Sequence, residues 1–293
     1  MANPLHEQLA ERILIDLRVE GLEAGHHLTE AKLEKLLSTS RSPIRAALAL
    51  LAERGIVEQI ANKGFFVKNL QAAPDSQSSG EDRIYLAIAD DRLTGKLPQD
   101  VTESELSRRY DMPRNAIHRI LTRIAREGWI EPREGRGYRF APLIDSMSAY
   151  RENYQLRRML EPQGLLCETF RIDADMLARL RRQQEIVRDG GWQSLGQIEL
   201  FETNSQFHEG LAVLSGNRFL PQIIARQNQL RRLVEYRQTL NREQVRQQNE
   251  EHLAILDALE TNEISRAADL LAAHLENAMV RKARPAIFDG VTI

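Results

Sequence analysis

Three histidines in the C-terminal half of the sequence, His208, His252 and His274, have the chemistry to hold a cation. Imidazole is a borderline ligand suited to zinc, nickel and similar ions, and three imidazoles with one oxygen donor leave coordination positions open. Asn204 precedes His208 by four residues, so on a helix the two side chains share a face. His252 and His274 each sit among apolar neighbours (Leu253 and Ile255; Leu271 and Leu275), which suits satisfied core histidines equally well. A second set of residues is basic. Arg41, Ser42 and Arg45 open a helical segment, and an arginine can donate two hydrogen bonds to guanine O6 and N7. Residues 113–139 hold seven arginines (114, 119, 123, 126, 133, 136 and 139) against three glutamates. That is a local basic face in a chain whose formal net charge is −2. Bulk charge therefore excludes indiscriminate binding to nucleic acid or anionic membrane, but not recognition by a few placed arginines.

The elements that position these side chains follow from an internal repeat. A shift of 73 positions aligns Thr29-Glu30 with Thr102-Glu103, Leu33 with Leu106, Arg41 with Arg114 and Ile44 with Ile117. The same shift aligns Leu48 with Leu121, Gly55 with Gly128, Glu58 with Glu131 and Gly64 with Gly137, without a gap. Two duplicated domains are expected.

In the first copy, Leu9, Ile13 and Leu17 mark an amphipathic helix over residues 6–20. Thr29 opens a short helix, and Ser38-Thr39-Ser40 breaks it. A longer helix follows with Pro43 in its first turn and Ile44, Leu48 and Leu51 on its buried face. Gly55 suits a left-handed cap. Residues 56–60, the turn Asn62-Lys63-Gly64 and Phe65-Phe66-Val67 read as a two-stranded hairpin.

Three helices and a hairpin make a winged helix-turn-helix, whose third helix fits the major groove of DNA. The second copy repeats the plan with a Thr102-x-x-Glu105 capping box, Pro113 at the next helix start, Gly128 at its end, and a hairpin turn at Gly135-Arg136-Gly137.

The expected fold is mainly α: two tandem winged helix-turn-helix domains (1–70 and 81–143), then an all-α antiparallel helical bundle over 146–285. A polar linker, 71–80, separates the copies, and a short tail with Pro285 and Gly290 closes the chain. Six helices are expected in the bundle, at about 147–170, 173–189, 195–214, 217–239, 242–260 and 263–283, with Pro162 bending the first. The 293 residues, 42% hydrophobic and 28% charged, can build sizeable cores. A single cysteine, Cys167, excludes an intrachain disulfide and zinc-finger spacing. No apolar run approaches a membrane span, and the start MANPLHEQLAERI lacks a signal-peptide core, so a cytoplasmic protein is expected.

TEAKLEKLLSTSRSPIRAALALLAERGIVEQIANKGFFV resembles the DNA-binding domain of GntR-family bacterial transcription regulators, most specifically at S-R-S-P-I-R-A-A-L. The second copy, TESELSRRYDMPRNAIHRILTRIAREGWIEPREGRGYRF, is a weaker match, and the duplication departs from the usual single domain. LRRMLEP, FHEGLAVLSGN and EEHLAILDALETNEISRAADLLAAHL resemble the FCD ligand-sensing domain of the FadR subfamily.

The resemblance implies a metabolite-responsive regulator, a repressor by family habit, that binds double-stranded operator DNA as a homodimer and has no enzyme activity. It implies DNA contacts at Arg41, Ser42, Arg45, Lys63 and Gly64. In the second copy the matching positions are Arg114, Asn115, His118, Arg136 and Gly137. Ala31 stands where some members carry a further arginine.

It also implies a divalent metal, zinc or nickel, on Asn204, His208, His252 and His274, with Asn204 where the family usually has Asp. A small carboxylate effector would bind beside the metal with help from Arg157, for which a salt bridge with Glu161 on the helix surface is the alternative. Two rivals remain open at this level. One is a helical-bundle metalloenzyme, although no general base of clear identity sits beside the histidines. The other is an interaction scaffold with vestigial winged domains.

Overall fold

The computed structural model describes residues 22–37, 39–61, 63–69 and 80–282, together with helical positions 6, 9, 10, 13, 14, 16 and 17. Residues 71–79 of the expected linker, Asn62 of the wing turn and the tail beyond 282 lie outside the described residues. The chain divides into two compact units, Met1–Gln77 and Ser78–Ile293.

The first unit is built around strand β1 (His27–Leu28), helices α1 (Glu30–Leu37) and α2 (Arg41–Glu53), and strands β2 (Val57–Ile60) and β3 (Gly64–Val67). Its core gathers Leu9, Ile13 and Leu17 from the N-terminal helical positions with Leu33, Ile44, Leu48, Leu51, Phe65 and Val67. Each fully buried aliphatic side chain contributes about 1.5–3 kcal/mol, which fixes α2 by its inner face and leaves the other face to solvent. The expected hairpin forms between β2 and β3, and β1 adds a third strand to give the order β1-β3-β2. His27 pairs with Phe66 and Leu28 with Phe65. A two-residue strand carries no periodicity, so hydrophobic alternation could not announce it.

The second unit opens with the repeated plan: α3 (Gly80–Leu93), β4 (Asp100–Val101), α4 (Glu103–Arg109), α5 (Arg114–Arg126), β5 (Ile130–Pro132) and β6 (Tyr138–Phe140). Residue 80, placed in the linker from sequence, already belongs to α3. The helices α2 and α5 are 73 residues apart at both ends, as are β1 and β4. Gly55 and Gly128 both take positive φ, 72° and 77°, just after those helices. The Thr102 hydroxyl accepts from the Glu105 amide while the Glu105 carboxylate accepts from the Thr102 amide, completing the capping box.

Six long helices follow: α6 (Met147–Leu165), α7 (Ala174–Ile186), α8 (Gln197–Leu214), α9 (Leu220–Gln238), α10 (Arg242–Glu260) and α11 (Ile264–Lys282). Helix α6 runs through Pro162 and ends at Leu165, five residues before the expected end. A π-turn at Val187–Gly191, with Gly190 at φ 118°, breaks the chain where the glycine pair suggested. One apolar core runs from Tyr85 and Trp129 of the winged segment to Leu271 and Leu275 of α11. The second winged segment and the bundle therefore share a core.

Candidate functional site

The first winged unit presents to solvent the residues expected to contact DNA. Ile44, Ala47, Leu48 and Leu51 bury one face of α2, which forces Arg41, Ser42 and Arg45 onto the other. Arg45 forms a two-bond pair with Glu30 at 2.7 and 2.9 Å, and Arg41 donates to Glu34 at 2.8 Å. Both arginine side chains remain about two-thirds exposed, at 66% and 67%. Exposed pairs of this kind contribute little to stability, so they orient the guanidinium groups and release them readily. At the wing, Gly64 takes φ 97°, a conformation that favours glycine, and a Cβ there would lie 3.0 Å from His27 Nε2 and press on that side chain. Lys63 beside it is exposed.

The second copy keeps the geometry but not the charge. His118 Nδ1 lies 2.7 Å from Glu103 Oε1, the pair equivalent to Arg45 and Glu30 under the 73-residue shift. Arg114 donates to the Ser104 hydroxyl at 2.6 Å, and the Asn115 carbonyl accepts from the Ala116 amide. Arg136 is exposed at the wing turn, and Gly137 takes φ 92° with a virtual Cβ only 2.6 Å from the Val101 carbonyl oxygen.

The basic face expected over 113–139 is largely neutralised by acids from outside that segment. Arg119 pairs with Glu81, Arg123 with Asp82 at 2.6 Å, and Arg133 and Arg139 both with Asp100 at 3.1 and 2.7 Å. A charge count along one stretch of sequence omits partners that the fold delivers from α3 and β4.

A buried polar chain joins the winged segment to the bundle. Arg232 Nη1 donates to Glu202 at 2.7 Å and to the Tyr236 hydroxyl at 3.0 Å. Tyr236 and Tyr85 share a hydrogen bond of 2.7 Å, and Tyr85 donates to Glu127. Glu127 also accepts from Trp129 at 3.0 Å and Arg123 at 3.1 Å. Burial would raise the Glu127 pKa, but Arg232 and Arg123 with these hydrogen bonds hold it at about 2.

In the bundle, α8, α10 and α11 bring His208, His252 and His274 together, each about 2% exposed or less. One ring nitrogen from each lies within 4.8 Å of the others, and His252 Nε2 is 3.2 Å from His274 Nε2. The opposite nitrogens are all held: His208 Nδ1 by Glu161 at 2.6 Å, His252 Nδ1 by Gln184 at 3.0 Å, and His274 Nδ1 by Glu251 at 2.7 Å. The amide of Asn249 donates to Gln184 Oε1 at 2.9 Å and marks that oxygen as an acceptor.

These partners accept at Nδ1 and so leave each Nε2 as the nitrogen with a free lone pair. Burial, aided by the Arg157 charge and opposed by Glu161, pushes His208 down to about 3. Burial likewise lowers His252 and His274. All three are neutral at pH 7, the state in which imidazole binds a cation. The donor set therefore fits zinc or a similar ion, with each ligand oriented from behind.

Asn204 lies one turn before His208, and its Nδ2 is buried without a hydrogen-bond partner. Rotating the amide by half a turn would put the carbonyl oxygen in that place. Arg157 is buried, not on the surface, and donates to Glu161 at 2.6 Å. A small cavity of about 30 Å³ adjoins His252 and Asn204, and Arg157 does not line it. The sequence did not single out Glu161, Gln184 or Glu251 as partners of the histidines. The available signals were the Arg157–Glu161 spacing and the adjacency of Glu251 to His252.

Two domain families match the chain. The FCD domain matches residues 152–277, and "Bacterial regulatory proteins, gntR family" matches residues 5–67. The second winged segment lies between the two matches. Among solved structures, one described as "Lar controls the expression of the Listeria monocytogenes agr system and mediates virulence" is 12% identical with a TM-score of 0.51, covering 71% of this chain and 98% of its own. A putative transcriptional regulator GntR from Rhodococcus sp. RHA1 is 18% identical with a TM-score of 0.47, covering 69% of this chain and 96% of its own. Among curated proteins none matches the chain. The Listeria likeness bears on the fold alone. No helix among the described residues is long and apolar enough to cross a membrane.

Proposed function

From the premise that the chain belongs to the GntR family of bacterial transcription regulators, DNA-binding proteins and not enzymes, with an FCD domain as its second part, we propose a metabolite-responsive repressor acting as a homodimer in the cytoplasm. Arg41, Ser42 and Arg45 read base edges in the major groove of operator DNA, while Lys63 and Gly64 bring the wing to the backbone or minor groove. Arg114, Asn115, His118, Arg136 and Gly137 make a second, weaker contact, since most other arginines of that copy are already paired.

His208, His252 and His274 hold a divalent metal, zinc or nickel, with Asn204 as a neutral fourth donor. Bound there, the ion supplies an open coordination position for a small carboxylate effector. Arg157 acts on that site through Glu161: its charge keeps the carboxylate ionised and aimed at His208. Effector binding that differs between the DNA-competent and incompetent arrangements shifts the population between them.

The observation that carries the metal proposal is the cluster of three buried imidazoles, one ring nitrogen of each within 4.8 Å of the others, with every Nδ1 held from behind. Elemental analysis of the purified protein is expected to find one metal ion per chain, lost in His252→Ala. Metal content unchanged by that substitution would remove the site. Salt-dependent binding to DNA upstream of the regulated genes is expected of the same preparation, and its absence would refute the regulatory reading.

A further inference from the structure

The two winged segments share a backbone plan and differ in the side chains that face a groove. The 73-residue shift places Arg114 on Arg41, Asn115 on Ser42 and His118 on Arg45. Helices α2 and α5 are both 13 residues long, and they bury matching positions, Ile44, Leu48 and Leu51 in one, Ile117, Leu121 and Ile124 in the other. Gly64 and Gly137 at the two wings both take positive φ, 97° and 92°. With the scaffold held constant, any difference in what the two helices read comes from the side chains.

Those side chains differ in the direction of their hydrogen bonds. A guanidinium only donates, and guanine offers the matching pair of acceptors, O6 and N7, in the major groove. Arg45 therefore suits guanine once it leaves Glu30. His118 has the opposite polarity. The Glu103 carboxylate accepts from its Nδ1 at 2.7 Å, so the neutral ring keeps an acceptor at Nε2. The His118 side chain is 61% exposed, which leaves that nitrogen open to a partner. Glu103 also accepts from the Tyr138 hydroxyl at 3.3 Å, so the wing helps to hold the carboxylate in place. An acceptor in the major groove finds donors only on adenine N6 and cytosine N4, and meets only acceptors on guanine and thymine.

Asn115, three residues before His118, is exposed on the same helix and offers a donor and an acceptor together. That pair matches adenine N7 and N6. Its oxygen accepts from the Ala116 amide at 2.9 Å, which orients the group and leaves a second lone pair. Ser42 in the first copy carries no such preference, since a hydroxyl serves several bases.

We infer that the two copies read different DNA. Helix α2 takes an element with guanine under Arg45, and α5 takes one with adenine under Asn115 and an amino base, adenine or cytosine, under His118. The operator is then built from two dissimilar elements. This rests on the second DNA contact proposed above.

The test is selection of duplex DNA from a randomised pool by the purified full-length protein, with the bound fraction sequenced. Two unlike motifs are expected. Asn115→Ala is expected to lower discrimination for adenine at one position of the second motif by about tenfold, the loss of one two-bond contact, with the first motif unchanged. Asn115→Ser, which carries the residue of the first copy, serves if Asn115→Ala does not fold. His118→Arg gives α5 the arginine–glutamate pair of the first copy and is expected to change the base beneath it to guanine.

Recovery of one motif, alone or repeated, would overturn the inference and leave the regulatory reading standing. So would variants at positions 115 and 118 that select the same sequences as wild type. Failure to enrich any sequence would refute the DNA-binding reading and this inference with it.

Discussion

Replacing Arg232 by methionine tests how firmly the second winged segment is fixed to the bundle. Methionine keeps much of the stem volume over the Phe201 ring, where the guanidinium carbon sits 4.6 Å from the centroid, and removes only the charge and donors. Glu202 loses its 2.7 Å partner, the Tyr236 hydroxyl loses its donor at 3.0 Å, and Glu127 loses the larger of two cationic neighbours.

Breaking a buried pair from one side costs about 3–5 kcal/mol. Arg123 still serves Glu127 at 3.1 Å, so the lower end, about 3 kcal/mol, is expected. The Glu127 shift gives a figure of the same order: lowering a carboxyl from 4.5 to about 2 corresponds to roughly 3 kcal/mol for all its partners together. A carboxyl with a depressed folded pKa contributes stability that is complete above its unfolded value and lost as pH falls through the folded one. Wild-type protein is therefore expected to lose this contribution between about pH 4.5 and 2, and the variant to lose its remainder at higher pH.

Both tryptophans, Trp129 and Trp192, lie in the second unit, so urea unfolding followed by their fluorescence reads that unit alone. A loss below about 1 kcal/mol at pH 7, the value of an exposed pair, would refute the idea of a buried clamp. So would additive effects of Arg232→Met and Glu127→Gln, since coupled neighbours show interaction energies of about 0.5–3 kcal/mol.

Arg45→Ala is expected to weaken operator binding by about 1–3 kcal/mol in fluorescence anisotropy, whereas Arg119→Ala, whose guanidinium is paired with Glu81, changes it less than about threefold. Equal losses would contradict the assignment of α2 as the reading helix. Glu161→Gln is expected to lower zinc affinity by about 10–100-fold through loss of orientation at His208, and an affinity within threefold of wild type would remove that positioning role. His208, whose folded value of about 3 lies below its unfolded 6.5, stays neutral in the fold while the unfolded chain takes up a proton. Metal-free protein should therefore lose stability as pH falls from about 6.5 toward 3, and His208→Gln should flatten that slope in chemical denaturation. A slope unchanged by the substitution would refute the buried neutral state.

Much of the fold was legible because its signals are local. The 73-residue shift predicts that each element has a counterpart, and α2 with α5, β1 with β4, and Gly55 with Gly128 keep that offset. The capping box at Thr102 and Glu105 is written within four residues, and so is the shared face of Asn204 and His208. The two-residue strands β1 and β4 were not legible. Neither was the extent to which the second copy's arginines are neutralised, since Arg119 and Arg123 meet acids 38 and 41 positions away.

The sequence by itself determined which helix carries each histidine, which glycines turn the chain, and which arginines begin α2 and α5. These depend on backbone preference and on periodicity over a few residues. Only the tertiary structure decided the state of those groups. It converted a stretch of seven arginines into a mostly paired surface, moved Arg157 from a helix surface to the interior behind His208, and assigned the proton of each imidazole through Glu161, Gln184 and Glu251. Charge, tautomer and desolvation are set by what lies within a few ångströms in space, and most of those neighbours are distant along the chain.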